Sequence, residues 1–383
     1  MPRISSPVHT LVARFAWCVF GLTACGPEQN ANGSSPGQVD AGPADGGVDS
    51  AQDVGTPTEV AAAEVADLPQ GDPLEFAPNA QYLTRAVQVI QTAKKRLDII
   101  QFETTSYQAN SGDVVEILVN AVLNAKKRGV TVRVLFDNEI SNNQLLVDKF
   151  KAVGIAASLD SPSLRTHAKI VYSEQGAVIG STNWSWSSIA KNNETNVLVR
   201  DPTALTALGT YINTLMVKSS SPVSIKTSTN DQLALYGDGG YAAVIAPLLK
   251  AAKTRVILCT YGMNTDSSEI TPSLDLLAAA AKRGVKIRAV LDQSADWGDP
   301  QVNLDAGKVL AAFGAEVRND PISVITHAKF LIIDNTLVMG SNNWGYGGFK
   351  GYHEVGVRTS TVKVVGQVVD YFEKLWIVST PIQ

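Results

Sequence analysis

Residues 166–184 read Thr-His-Ala-Lys-Ile-Val-Tyr-Ser-Glu-Gln-Gly-Ala-Val-Ile-Gly-Ser-Thr-Asn-Trp, and residues 326–344 read Thr-His-Ala-Lys-Phe-Leu-Ile-Ile-Asp-Asn-Thr-Leu-Val-Met-Gly-Ser-Asn-Asn-Trp. His167 and His327 stand 160 positions apart, and Lys169/Lys329, Gly180/Gly340, Ser181/Ser341, Asn183/Asn343, Trp184/Trp344 and Glu194/Glu354 keep that offset. A segment that occurs twice delivers two His-Lys-Asn sets to one molecule. On a strand, residues i and i+2 share a face, so each imidazole is expected to point the same way as its lysine while Ala168 and Ala328 point into packing. The hairpin that follows is expected to return Ser181 and Asn183 beside His167, and Ser341 and Asn343 beside His327.

The repeat extends outward from these segments. Ala-Lys-Lys-Arg-Gly-Val-Thr-Val-Arg at 125–133 resembles Ala-Ala-Lys-Arg-Gly-Val-Lys-Ile-Arg at 280–288. Asp137 matches Asp292 at an offset of 155, so five residues are inserted before the second histidine, and Gly154 matches Gly314 at 160 again. Leu83, Val87 and Ile90 have helical spacing within 80–95, and 97–102 reads as a strand. Asp113 can cap a helix that runs to Lys127 and stops at Gly129. The β-branched run 130–136 is a strand, with helices near 143–152 and 203–217. This order predicts an α/β fold: two tandem lobes, each a mixed sheet flanked by helices, related by a pseudo-twofold with one active site between them. The boundaries drawn are 1–25 signal peptide, 26–75 linker, 76–217 first lobe, 218–235 inter-lobe connection and 236–383 second lobe.

The charge is polarised. Residues 26–75 hold ten acids and no Lys or Arg, whereas the remainder of the chain from 76 onward holds 30 Lys and Arg against 26 Asp and Glu. The linker lacks aromatics and is rich in Gly, Pro, Ala, Asp and Ser, so it is expected to be a disordered acidic tether with a reach of roughly 40 Å. A mildly basic body suits an anionic substrate, although an ordinary solvated surface has the same balance.

At the N-terminus, Arg3 and Arg14 precede a short apolar run that ends in Leu22-Thr-Ala-Cys25. This resembles a bacterial lipoprotein processing site, in which Cys25 is lipidated and becomes the first residue. Gly26 in place of Asp implies, for such lipoproteins, transfer to the outer membrane. The expectation is therefore an exported protein of the bacterial cell envelope, held to the membrane through lipidated Cys25. Cys259, in Val-Ile-Leu-Cys, reads as a buried strand thiol.

The paired segments suit phosphodiester chemistry. A phosphodiester has a poor leaving group and needs in-line attack, a proton for the leaving oxygen and positive charge on the equatorial oxygens. One imidazole can attack phosphorus while the other donates a proton. Lys169, Lys329, Asn183 and Asn343 can supply charge and donors to the oxygens, with Ser181 and Ser341 beside them. Two ammoniums can stand where a metal would, and no His/Cys/carboxylate cluster shows metal-ligand spacing. Glu194 and Glu354 can each hydrogen-bond one imidazole nitrogen and set its tautomer.

H-x-K, four residues, an acid, then G-S-x-N resembles the signature of the phospholipase D superfamily, here present twice. That resemblance implies a bilobal fold, a phosphohistidine intermediate and no cofactor or metal. It places His167 and His327 as the motif histidines, Lys169 and Lys329 as the motif lysines, and Ser181, Asn183, Ser341 and Asn343 as phosphate-binding positions. It also implies that His167 is the nucleophile and His327 the proton donor, a tie that the symmetry of the repeat leaves open. Two departures stand out: Glu174 replaces the family's Asp, which Asp334 retains, and the acid-to-Gly spacing is one residue shorter than usual. Glu174 and Asp334 are expected to be turn or supporting groups.

A single His-x-Lys carries little, since a strand-edge histidine is most often structural; two copies with matching flanks carry the reading. His353 breaks the repeat, opposite Asn193, and reads as a pocket-edge or structural group. The aromatics Trp184, Trp186, Trp344, Tyr346, Phe349 and Tyr352 follow the motif turns and can line a mouth, stack bases or pack loops. Three functions follow: a phosphodiesterase acting on phospholipid head groups, a nuclease of the same superfamily, or a non-catalytic phosphate-binding surface lipoprotein. Two lobes in one chain remove the need for a dimer to complete the pocket.

Overall fold

The computed structural model describes residues 68, 70–105, 113–225, 232–294 and 300–382. The signal segment, Cys25 and most of the acidic tether lie outside the described residues. The first lobe runs β1 (Leu74–Phe76), α1 (Gln81–Thr92), β2 (Arg96–Gln101), α2 (Val114–Lys127), β3 (Thr131–Phe136), α3 (Asn142–Ala152), β4 (Ala156–Leu159), β5 (Arg165–Thr166), β6 (Ile170–Ser173), β7 (Ala177–Gly180), α4 (Trp186–Ala190), β8 (Asn196–Val199) and α5 (Pro202–Val217). Its main sheet has the order β1-β8-β7-β6-β2-β3-β4. β2, β3 and β4 pair in parallel, whereas β6, β7, β8 and β1 pair antiparallel, so the sheet is mixed.

The second lobe runs β9 (Leu233–Tyr236), α6 (Gly240–Ala251), β10 (Arg255–Thr260), α7 (Thr271–Lys282), β11 (Lys286–Leu291), α8 (Gln301–Ala312), β12 (Glu316–Asn319), β13 (Phe330–Ile333), β14 (Thr336–Gly340), a π turn at Gly347–Gly351, β15 (Tyr352–His353), β16 (Gly356–Thr359), α9 (Val362–Val378) and β17 (Thr380–Pro381). Its sheet order, β17-β12-β11-β10-β13-β14-β16-β9, repeats that of the first lobe with one added edge strand.

Local chemistry sets the boundaries. The Asp113 side chain accepts from Val115 N at 2.8 Å and so caps α2, and Gly129 (φ 86°) turns the chain out of that helix in the left-handed conformation. Gly284 (φ 91°) does the same after α7. β-branched runs such as Thr131–Phe136 fill the parallel strands, which helices cover.

One core lies between the lobes. Ile170, Ile179 and Val197 of the first sheet share it with Ile257, Phe330, Ile332 and Met339 of the second, together with Leu208 of α5 and Phe372 of α9. Two further cores pack the outer helices of each lobe. Cys259 is buried in the shared core as a free thiol.

Three expectations need correction. Residues 70–75, given to the tether, belong to the body: β1 pairs with β8, and Glu75 bridges Arg85 (2.6 Å) and Arg200 (2.8 Å). The apolar pair Leu74 and Phe76 has enough surface to bury, which the acid-rich composition around it hid. The connection 218–235 contains the start of β9, which closes the second sheet against β16. His167 and Lys169 precede β6 rather than lying in it, although Ala168 is fully buried between them as expected.

Candidate active site

The entry to each motif is pinned from below. The Thr166 N–H donates to Asp137 Oδ2 and the Thr326 N–H to Asp292 Oδ1, both at 2.7 Å. The aspartates matched by the repeat are therefore anchors for the histidine segments. The lobes are then stitched together at the same points. β5 pairs in parallel with β15 of the other lobe, and the His167 N–H donates to the His353 carbonyl at 3.0 Å. A bridge between Asn193 and Thr326 is the counterpart.

This stitching crosses the carboxylates over. His167 Nδ1 donates to Glu354 Oε1 at 2.9 Å, and His327 Nδ1 lies 3.0 Å from each oxygen of Glu194. Each lobe thus supplies the carboxylate for the other lobe's imidazole. With Nδ1–H given to a carboxylate, Nε2 is the unprotonated nitrogen of each ring. Both rings line one cleft of about 590 Å³. A hollow of about 720 Å³ along α5 lies away from both histidines.

The serines do not line that cleft. Ser181 Oγ donates to Glu194 and Ser341 Oγ to Glu354, and both serines are fully buried. Their expected role on substrate phosphate is corrected to holding the carboxylates. Gly180 and Gly340 make this possible: a Cβ at either would lie 2.4 Å from the carbonyl of Thr195 or Val355. Asn183 and Asn343 do line the cleft. Asn183 gives Nδ2–H to Glu103 Oε2 at 3.0 Å, and its Oδ1 is buried without a partner.

The lysines lie beneath the rings. Lys169 Nζ donates to the His167 carbonyl and Lys329 Nζ to the His327 carbonyl, both at 2.6 Å. Each ammonium also faces an aromatic ring, Phe102 at 5.0 Å and Tyr261 at 4.9 Å. Burial lowers both lysines, Lys169 to about 8 and Lys329 to about 7, against the pull of Glu354 and Glu194. Burial and the lysine charges also lower both imidazoles, His167 well below its ordinary value and His327 to about 4. Glu194 facing His327 is held below the usual carboxylate range: its partners His327, Lys329 and Ser181 outweigh the burial that opposes them. Burial instead raises Glu354 to about 7, against Lys169 and Ser341. The free site therefore keeps its rings neutral, with the stronger carboxylate behind His327.

Glu174 and Asp334 sit away from the cleft. Glu174 accepts from the backbone N–H groups of Lys94, Lys95 and Arg96, and Asp334 from those of Lys253, Thr254 and Arg255. Each fixes the turn into the strand beside its motif, and Glu174 does this as Asp334 does. His353 is fully buried; it bonds Asp238 Oδ2 at 2.5 Å through Nδ1 and the Ser219 carbonyl at 2.8 Å through Nε2. Two acceptors on two ring nitrogens describe an imidazolium.

Of the motif aromatics, Trp184 and Trp344 are buried and donate to Tyr82 and Tyr241, and Phe349 packs on Trp344. Tyr352 lines the cleft, and Trp186 and Tyr346 are exposed. Sequence reasoning missed Phe102, Tyr261 and Glu103. Phe102 and Tyr261 pack edge-on against His167 (5.0 Å) and His327 (4.6 Å). An aromatic after each central strand, at an offset of 159, was the available signal. Arg165 also lines the cleft, over Phe102 and Tyr352.

Comparison with known proteins agrees with this arrangement. Curated relatives include the mitochondrial cardiolipin hydrolases of Chlamydomonas reinhardtii (28% identical over 33% of this chain and 54% of that protein) and Homo sapiens (29% identical over 36% and 52%). The chain thus spans about half the length of the curated relatives it matches. Among solved structures, phosphatidylserine synthase of Haemophilus influenzae Rd KW20 superposes with a TM-score of 0.65 over 81% of this chain and 87% of that one, at 13% identity, which is likeness of fold. The family described as "Cardiolipin synthase, PLD-like domain" matches twice, at residues 86–216 and 245–376, the two lobes whose histidines meet in one cleft. The chain belongs to this family of the phospholipase D superfamily.

Proposed function

We propose that this protein is a phosphodiesterase that hydrolyses head-group esters of phospholipids through a phosphohistidine intermediate. The observation that carries the reading is the pair of histidines, each backed by the opposite lobe's glutamate, opening on a single cleft. The names of the curated relatives, both cardiolipin hydrolases, favour a phospholipid over other diesters.

In the first step His167 Nε2 attacks phosphorus and the P–O bond to the head-group alcohol breaks. His327, protonated at Nε2, gives that proton to the leaving oxygen. The proton comes from solvent as the diester binds: its negative charge, entering a site that holds its imidazoles neutral, favours the charged ring, and Glu194 favours it at His327. In the second step His327 takes a proton from water, the water oxygen attacks phosphorus, and the P–N bond to His167 breaks. The products are a phosphatidic acid and the free alcohol. Lys169 and Lys329 hold positive charge under both rings, where a dry pocket makes it count against the dianionic transition state. Anchoring through lipidated Cys25 would place this cleft beside a bilayer.

The test compares wild type, His167→Ala and His327→Ala in chelator on phospholipid vesicles and on single-stranded DNA. Release of head-group alcohol by wild type, lost in both variants, is the expected result. Full activity in either variant sinks the paired-imidazole mechanism. Cleavage of DNA alone, falling steeply with salt, replaces the lipid reading with a nuclease.

A further inference from the structure

The two glutamates behind the rings are held from the back by matching groups of unequal charge. The Glu194 N–H donates to Asn79 Oδ1 at 2.8 Å, and the Glu354 N–H donates to Asp238 Oδ1 at 2.9 Å. A tyrosine hydroxyl meets the same oxygen on each side, Tyr371 of α9 at 3.0 Å on Asn79 and Tyr211 of α5 at 2.9 Å on Asp238. Asn79 and Asp238 stand 159 positions apart, the offset that pairs Tyr82 with Tyr241, and so are counterparts. One lobe makes these bonds with a neutral amide and the other with a carboxylate. The residue before each glutamate changes in step. Asn193 turns its Nδ2–H to Thr326 Oγ1 at 3.0 Å, whereas the His353 ring turns to Asp238 Oδ2. The fold needs no charge here, since the first lobe makes the same bonds without one. A carboxylate beside a second buried carboxylate opposes its ionisation. Left unbalanced, Asp238 drives Glu354 to take up a proton. A protonated Glu354 donates to His167 Nδ1 and sends the ring proton to Nε2, the nitrogen that must attack phosphorus.

We infer that His353 is a positioning residue for His167: its imidazolium balances Asp238 at the back of Glu354, so that Glu354 stays a carboxylate and holds the Nδ1–H of His167. This rests on the phosphodiesterase reading above. The Ser219 carbonyl on Nε2 and Asp238 on Nδ1 keep the His353 ring doubly protonated, and the charge of Asp160 favours the same state. Burial raises Glu354; Lys169, the Ser341 hydroxyl, Lys329 and His353 oppose it. The hydroxyls of Tyr211 and Tyr236 are buried nearby and stay protonated. His353 also accepts the His167 N–H through its carbonyl, so one residue touches His167 by its backbone and governs that ring's carboxylate by its side chain. His327 has no such support, because Asn79 and Asn193 stand in the matching places and do not titrate.

The experiment reads the histidine rings by long-range proton–nitrogen NMR, together with kcat/KM against pH on a bis-p-nitrophenyl diester, whose leaving group needs no proton. His353→Asn is expected to move His167 toward the Nε2–H tautomer near neutral pH and to leave His327 unchanged. Glu354 must be ionised, so activity lies above its pKa. Raising that pKa should move the acid limb up by about one pH unit or more, a loss of about tenfold on that limb. Adding Asp238→Asn removes the unbalanced charge and should return both the tautomer and the limb, which a merely structural role would not do. Asn79→Asp, a substitution of equal size, should carry the effect to the other side and change His327 alone. That variant reads the same balance if His353→Asn fails to fold. Rings that change together, a His167 that ignores His353→Asn, no rescue by Asp238→Asn, or a His327 indifferent to Asn79→Asp overturns the inference. The ring spectra do not depend on turnover. The expected tautomers with no cleavage of phospholipid vesicles keep His353 in its role and remove the phospholipid reading, and cleavage of vesicles with unresponsive rings does the reverse.

Discussion

At the scale of single residues, the two histidines have the same contacts but unequal partners. Glu194 presents both oxygens to His327 and stays ionised, whereas Glu354 presents one to His167 and is pushed up to about 7. If His327 is the proton donor, its loss should matter only where the leaving group needs a proton. His327→Ala should lose about hundredfold to ten-thousandfold on an alkoxide-leaving diester and far less on a p-nitrophenyl ester, whereas His167→Ala loses both. Steady-state rates on the two esters check this. The lysines set the alkaline side. Lys329 is lowered to about 7, so its charge is present below that pH and is lost as pH rises through it. The kcat/KM of wild type should therefore fall above about pH 7. Lys329→Arg keeps its proton, so its pH–rate profile should show that limb moved to higher pH even where the maximum is lower.

At the scale of elements, β15 couples the site to the inter-lobe segment. His353 pairs across to Thr166 through its backbone, and its ring ties Asp238 to the Ser219 carbonyl. Burial opposes the charge on that ring, but the Asp238 hydrogen bond and charge overcome it and raise the imidazole above its ordinary value. A raised basic group stabilises the fold fully below the unfolded pKa of about 6.5, and the contribution is lost as pH rises through the folded value. Stability measured by urea denaturation should thus decline through the neutral and mildly alkaline range. His353→Ala should cost about 3 kcal/mol at pH 6 and flatten that decline.

How much of this was legible varies with the physics behind each element. The strands and helices announced themselves through periodicity and caps: Asp113, Gly129 and Gly154 mark ends that the structure keeps. Spacing placed the two imidazoles, but proximity in sequence could not say that Glu194 would cross to His327 rather than serve its own lobe. Nor could it say that Ser181 and Ser341 would spend their hydroxyls on those carboxylates, because that depends on how close two backbones approach at Gly180 and Gly340. Glu103 lay outside the repeated motif altogether. The second lobe has Gly262 at the matching position, at the same offset of 159 that pairs Phe102 with Tyr261.

At the scale of the whole molecule, the shared core between the sheets makes the two lobes one cooperative unit. Residues of both sheets, α5 and α9 pack there, and neither lobe could bury that face alone. Unfolding in urea should therefore be a single transition, with near-UV and far-UV circular dichroism coincident. Two separated transitions would show lobes that fold independently.

The exchange of carboxylates has a consequence for pedigree. A solitary half owns a ring and an acid that never meet, so it could work only by finding a twin. Joining the halves in one polypeptide replaces a concentration-dependent encounter with a permanent one, at an effective local concentration of order millimolar or higher. It also ends the rule that binds identical subunits, for which every change appears twice. One half of this chain keeps a glycine where the other carries Glu103, an inequality that a pair of identical subunits could never hold.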